Sequence, residues 1–196
     1  MIRAVLLVLV VASTGLCYQA DSSKKSASPE PYADPEAYQV YAAILWPDEP
    51  AGSTPPKKIL ILAETAHFMM CLKPDPESEK IMRAALDDYR QLDGKSLVLQ
   101  PDFQAGRQYE FITRAELDPI FKQGGWEAFR KKYPDSSGYT QLSPVGFNAD
   151  KTIAVVYVSH SCGPLCGSGG FQILEKKNGK WQHTTKWKGQ SCGWIS

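Results

Sequence analysis

The feature that most constrains this fold is a pair of cysteines, Cys162 and Cys166, in a glycine-rich segment between two strand-like runs. A disulfide between residues this close turns the chain back on itself once the two Cα atoms come within about 7 Å. The flanking runs, residues 153–158 and 171–174, would then be antiparallel neighbours. The sequence therefore predicts two strands joined by a rigid loop that a Cys162–Cys166 disulfide closes.

Such a disulfide requires an oxidising compartment, and the N-terminal residues predict export. Arg3 precedes an unbroken apolar run over residues 4–12, and small residues follow it, which is the layout of a signal peptide over residues 1–17. The run is shorter than the ~20 residues that span a bilayer, and no later run is longer, so no transmembrane segment is expected. We therefore expect a secreted or periplasmic protein.

Cys17 leaves a lipid anchor open as an alternative, because some exported proteins carry a lipid on a cysteine at the cleavage point. Leu16 precedes it, where such signals place a small residue, and this favours a Cys17 that is lost or left at the cleavage point. Cys71 and Cys192 then remain as a second pair whose long loop would restrict the unfolded chain more strongly. Four cysteines allow three connectivities, so the other two pairings stay open.

A polar stretch with small residues and prolines follows the leader and predicts a flexible tether over residues 18–33. Asp34 followed by Pro35 then starts a helix at the beginning of a single domain over residues 34–196. The same N-cap and proline signal recurs at residues 75–76 and predicts a second helix. A capping box at residues 113–116 predicts a third that ends near residues 124–125, with a further aromatic segment after it.

Strand-like runs follow the first helix and dominate the last quarter of the chain. Residues 59–62 form a continuous apolar run that predicts a strand near the sheet centre, and residues 96–99 and 109–112 predict two more. The dipeptide at 178–179, Asn-Gly, predicts a tight hairpin before a strand over residues 181–187. The expected fold class is α+β, in which an antiparallel meander from the C-terminal half packs against helices from the N-terminal half.

Charge gives no support for nucleic-acid binding, since 22 basic residues balance 21 acidic ones. Residues 151–196 nevertheless hold six lysines and one acid, and Trp181, Trp187 and Trp194 alternate with those lysines. This pattern could form a surface for an anionic polymer or a glycan. A sheet with buried apolar faces and solvated lysines also explains the pattern, and the sequence favours this interpretation.

His160 lies two residues before Cys162 and leaves two chemical alternatives open. His160, Cys162, Cys166 and Cys192 together are a nitrogen and three sulfurs that could bind zinc, although their spacing lacks the paired knuckles of structural zinc sites. The other alternative is a catalytic Cys162 thiol with His160 as its base, but no third residue that would orient the histidine stands out. We expect neither a metal nor a cofactor, and we expect the other two histidines, His67 and His183, to be packing or surface residues.

The stretch from Trp126 to Trp181 resembles a group of bacterial secreted proteins to which no activity is assigned. The resemblance rests on five short motifs over a little more than a quarter of the chain: Trp126-x-x-Phe129, Tyr133-Pro134, Ser143-x-Val145-Gly146-Phe147-Asn148, Cys162-Gly163-x-Leu165-Cys166-Gly167 and Gly179-Lys180-Trp181. It implies a bacterial exported protein and supplies no catalytic residues. His160, Cys71 and Cys192 lie outside these motifs.

The functional hypothesis from the sequence is a binding module for an unknown protein or glycan, with the disulfide-closed loop as its recognition surface. An enzyme is the alternative, either a hydrolase or a thiol-dependent transferase, with His160 acting on Cys162 or on a nearby serine. A purely structural domain, in which the loop is only a crosslink, is the third. The oligomeric state is left open. The candidate binding residues are His160, Gly163, Leu165, Gly167, Trp181 and Trp187.

Overall fold

The computed structural model describes residues 30–46, 58–103, 108–184 and 186–196. The predicted signal peptide, Cys17 and most of the predicted tether lie outside the described residues. Within the described part of the chain, no helix combines the length and the apolar character needed to cross a membrane.

The helices begin where the capping signals predicted. They are α1 (Pro35–Leu45), α2 (Pro76–Leu92) and α3 (Arg114–Lys132). The Asp34 carboxylate accepts a hydrogen bond from the Glu36 amide at 3.0 Å, and both halves of the capping box between Thr113 and Glu116 are formed. Gly125, at φ 58° and ψ −140°, kinks α3, so the two segments predicted around residues 124–125 are two arms of one element.

The strands build one large mixed sheet and two small ribbons. They are β1 (Glu30–Tyr32), β2 (Lys58–Leu62), β3 (Lys73–Pro74), β4 (Leu97–Leu99), β5 (Gln108–Ile112), β6 (Tyr139–Leu142), β7 (Gly146–Phe147), β8 (Ile153–Gly163), β9 (Cys166–Lys177), β10 (Lys180–His183), β11 (Gly189–Gln190) and β12 (Gly193–Ile195). The large sheet has the order β10-β9-β8-β6-β2-β5, with β12 beside β9 and β7 beside β8. β1 pairs with β4, and β3 pairs with β11.

The α+β class is confirmed, and the C-terminal half is antiparallel from β6 through β10. The N-terminal half adds a parallel part that the sequence did not predict, because β2 runs parallel to both β5 and β6. β2 is also one strand from the sheet edge and not at its centre. Its continuous apolar run reflects burial on both faces, which a strand near the edge attains when helices cover both sides.

The sheet lies between helices on its two faces. On one face, α1 packs through Tyr38 and Tyr41 against Ile61 of β2 and Val156 of β8. On the other face, α2 packs against β8 and β9, and α3 packs against β2 and β5. Among the described residues, α1 extends over this face as far as Leu45, and His160 near the far end of β8 is half-buried.

Residues 30–32, at the C-terminal end of the predicted tether, form β1 and pack with the domain. Tyr32 is buried, its hydroxyl accepts a hydrogen bond from the Val145 amide at 3.0 Å, and its carbonyl accepts one from the Tyr38 hydroxyl at 2.7 Å. One buried aromatic ring and a backbone ladder to β4 compensate the ordering entropy of three residues. The average composition of the segment conceals that contribution.

The last predicted strand is shorter than expected. β10 ends at His183, and the chain then crosses towards the start of α2, where the Lys188 amide donates to the Ser78 hydroxyl at 2.9 Å. The hairpin before it is confirmed, since Asn178 and Gly179 both have positive φ, at 50° and 77°. Positive φ at both central residues is the requirement of the tight turn that Asn-Gly favours.

Candidate functional site

β8 and β9 form a long antiparallel hairpin that the Cys162–Cys166 disulfide closes at its tip. The ladder runs from Ile153 opposite Glu175 to Gly163 opposite Cys166, and the two cysteine Cα atoms are 5.0 Å apart. Leu165 is 87% exposed at the turn. The Cys162 carbonyl accepts a hydrogen bond from the Arg130 guanidinium of α3 at 3.3 Å. The tip is thus held by a covalent bond and by a contact to a helix.

The second disulfide joins Cys71 and Cys192, whose Cα atoms are 5.8 Å apart. It fixes the residue immediately before β12, and β12 pairs with β9 from Gly193 opposite Gly170 to Ile195 opposite Ser168. Both disulfides have the connectivity expected from the sequence, and they are compatible with an oxidising extracellular compartment. Together they fix the two elements that flank the outer end of β9.

A groove of about 730 Å³ lies on this end of the sheet, on the face that α1 covers further along. β8, β9 and β12 contribute its floor, and Ile44 near the end of α1 contributes one wall. Its lining residues are Ile44, Val158, His160, Ser168, Gly169, Gly170, Gln172, Ser191, Gly193, Trp194 and Ile195. The register places Gly170 opposite Val158 and Ser168 opposite His160, so these residues share one face.

His160 is the titratable side chain of the groove, and it is half-buried there. Its Nδ1 lies 3.1 Å from the hydroxyl of Thr140, a buried residue of β6. Burial lowers the pKa of His160, because it penalises the charged imidazolium. Nδ1 is occupied by Thr140, so Nε2 is the ring nitrogen left to meet a ligand, and the imidazole is neutral at pH 7.

The glycines of β9 have two different roles. A Cβ on Gly167 would lie 2.9 Å from the Trp194 ring, and one on Gly169 would lie 2.6 Å from the indole nitrogen. These two glycines therefore let Trp194 lie flat on β9, on the face opposite His160. A Cβ on Gly170 would meet only ordinary contacts at 3.5 Å and 3.7 Å, so Gly170 leaves space in the groove without a packing requirement.

No protein-family model, curated protein or solved structure matches this chain. A function therefore has to be inferred from the groove and the hairpin tip themselves.

The structure does not assemble the predicted binding residues into one surface. His160 lies in the groove, whereas Gly163 and Leu165 lie at the hairpin tip outside its lining. Gly167 lies beneath Trp194. The glycine-rich segment is also a strand over most of its length, so the loop is confined to the few residues between the two cysteines.

Neither of the two predicted tryptophans is exposed. Trp181 is buried, and its indole nitrogen donates to the Glu36 carboxylate at 2.5 Å, because β10 turns it into the core beneath α1. Trp187 is half-buried against the cluster that α2 forms with β8 and β9. Sequence reasoning missed Gln172, Ser191 and the groove-facing role of Gly170, which only the strand register reveals.

The lysines interleaved with these tryptophans are largely neutralised by acids. Lys176 Nζ lies 2.6 Å from Glu36, and Lys177 and Lys186 lie 2.5 Å and 2.9 Å from the two oxygens of Glu175. Glu175 is buried, and the two lysines lower the pKa of its carboxyl. Lys151 Nζ also lies 2.9 Å from Asp34, so four of the six lysines are paired, which weakens the case for an anionic polymer as the partner.

Neither the zinc site nor the thiol nucleophile has the free cysteine sulfur that it requires. Cys162 is in a disulfide and offers no thiolate, and the sulfurs proposed as zinc ligands are bonded to one another in pairs. Among the described residues, no cluster of three or more His, Cys, Asp or Glu side chains is suited to a metal ion. His67 and His183 are both exposed, and His67 Nδ1 lies 2.5 Å from Asp93 Oδ1.

Proposed function

We propose that this chain is an exported binding protein, secreted or periplasmic, whose ligand occupies the groove beside the disulfide-closed hairpin tip. The observation that carries the proposal is the groove itself, a concavity of about 730 Å³ lined by apolar walls and a few polar side chains. Ligand sites of proteins typically measure ~300–1,000 Å³ and have this mixture of lining residues.

The crosslinks around the groove support the same function. The disulfide of Cys71 and Cys192 fixes β12 at one side, and that of Cys162 and Cys166 closes the hairpin that forms the floor. A ligand that enters such a groove orders few additional side chains or loops. Less conformational entropy is then lost on binding than in a flexible groove, so the ligand binds more tightly. A binding surface gains from this rigidity directly.

A serine hydrolase is the second candidate, and one observation favours it. Ser168 is directly opposite His160 in the ladder, and Thr140 holds the imidazole from its other nitrogen. However, no described carboxylate lines the groove, so the histidine lacks the acid that stabilises an imidazolium in a triad. Binding without turnover is the better-supported function.

The test fills the groove without disturbing the fold. Gly170→Leu projects a side chain into the groove from a position with ordinary van der Waals space, and Leu165→Ala changes an exposed residue outside it. Purified protein is screened by thermal shift against a library of oligosaccharides, peptides and small metabolites. A groove ligand should raise the melting temperature of wild type and Leu165→Ala, and leave that of Gly170→Leu unchanged.

Two results would reject the proposal. One is a set of ligands that stabilise Gly170→Leu as much as wild type, which would place their site elsewhere. The other is hydrolysis of p-nitrophenyl esters that disappears in Ser168→Ala and in His160→Ala, which would establish the hydrolase instead.

A further inference from the structure

The described lining of the groove carries no formal charge, and this restricts the ligands that it can hold. Of its eleven lining residues, His160 is the only one that ionises near neutral pH. Its half-buried position keeps the imidazole neutral at pH 7. A charged ligand entering this groove would lose hydration and find no opposite charge to replace it.

Most polar side chains of the groove both donate and accept hydrogen bonds. The Gln172 amide and the hydroxyls of Ser168 and Ser191 have both capacities, and Nε2 of His160 donates or accepts according to the tautomer, since Nδ1 is bonded to Thr140. Sugar hydroxyls have the same dual character, so a hydroxyl-rich ligand can pair with each of these side chains in either direction. A ligand with only acceptors or only donors would leave half of this capacity unused.

The backbone of β9, the central strand of the floor, is not available to a ligand. β9 is paired with β8 on one side and with β12 on the other, over Ser168 to Gly170. Recognition of an extended peptide usually relies on free main-chain groups at a sheet edge. β9 offers no such edge, so recognition at the centre of the floor depends on side chains, and a peptide would have to pair along the outer side of β12, a strand of only three residues.

The floor is flat at its centre and apolar at its rim. Gly170 has no side chain on the face of His160, so a ring can approach the sheet closely there. Val158 and the 90%-exposed Ile195 provide apolar contacts beside the polar groups. A pyranose ring has this division, with hydroxyls at its edge and C–H groups on its faces.

From these four features we propose that the groove binds an uncharged glycan, a short chain of neutral hexose or N-acetylhexosamine units. This inference rests on the proposed groove binding and adds the ligand class to it. Gln172 is the principal hydrogen-bonding residue, because its amide can bridge two neighbouring hydroxyls from the floor.

The experiment compares three probe sets on the full chain by isothermal titration and by a glycan array. The sets are neutral oligosaccharides of two to six units, uronic-acid or sulfated oligosaccharides of equal length, and extended peptides. We expect binding of a neutral oligosaccharide, weakened about tenfold or more by Gln172→Ala and by Gly170→Leu. Leu165→Ala should bind like wild type, and all variants should keep the wild-type circular dichroism spectrum.

Each other outcome overturns a distinct part of the reasoning. Binding of acidic oligosaccharides or of peptides that Gly170→Leu abolishes would refute the glycan class and leave the groove as the binding site. Binding of a neutral glycan that neither Gln172→Ala nor Gly170→Leu changes would refute the groove itself, and the proposed function with it. Absence of binding to all three sets at millimolar concentration would refute the ligand class.

Discussion

The two disulfides should differ in their contribution to stability, because they close loops of very different length. Cys71 and Cys192 are 121 residues apart, and Cys162 and Cys166 are four apart. In the chain-entropy model the loss of a crosslink costs about 2.1 + 1.5R ln n cal/mol/K, where n is the loop length. At 25 °C this gives about 5 kcal/mol for the long loop and about 2 kcal/mol for the short one.

The measurement is thermal unfolding, followed by circular dichroism without reductant, of Cys71→Ala/Cys192→Ala and Cys162→Ala/Cys166→Ala. For a domain of this size 1 kcal/mol shifts the melting temperature by about 2–4 °C, so we expect losses of roughly 10–20 °C and 4–8 °C respectively. Each double variant is the control for the other. Equal losses, or a larger loss for the tip variant, would show that native contacts and not loop entropy determine the crosslink's effect.

Three further perturbations test the packing and the electrostatics of the fold. Tyr41→Phe removes the hydroxyl that donates to the buried Ser143 carbonyl at 2.7 Å. The free energy of unfolding in urea should therefore fall by about 1–3 kcal/mol, and no change would mean that water replaces the hydrogen bond. Gly179→Ala places a Cβ at φ 77°, where nothing lies within 4 Å. The free energy of unfolding should therefore fall by about 1–2 kcal/mol through backbone conformation alone, and an unchanged urea midpoint would contradict this expectation. The pKa of Glu175 is lower in the folded than in the unfolded chain, so its stabilisation is complete above the unfolded value of ~4.3 and is lost as the pH falls through the folded value. Glu175→Gln should therefore flatten the fall in urea midpoint between pH 5 and pH 3, and an unaltered acid limb would refute this assignment.

Local signals in the sequence predicted the parts of the fold that local chemistry determines. Asp34, Asp75 and Thr113 each cap a helix, because a side-chain oxygen next to free backbone amides has the same effect in any fold. The hairpin at Asn178 and Gly179 is equally local, since it depends on two backbone conformations. These elements needed no knowledge of the remaining chain.

Long-range pairing determined what the sequence could not show. The sequence predicts a loop at the glycines of β9, although two of them are small because Trp194, about 25 residues later, lies on them. Trp181 was considered for a surface, although Glu36, 145 residues away, pairs with it in the core. The groove was missed for the same reason, because its lining comes from α1, β8, β9 and the segment after β10, which become neighbours only in the folded sheet.

The short separation of Cys162 and Cys166 also affects how a reduced chain acquires its correct bonds on oxidation. Loop-closure probability falls as roughly the 3/2 power of length, which favours this pair by roughly 10- to 100-fold over any alternative partner of either thiol. Once that pair has formed, Cys71 and Cys192 are the only thiols of the domain that remain, and the three possible connectivities reduce to the native one. Oxidative refolding should thus need little reshuffling by an isomerase.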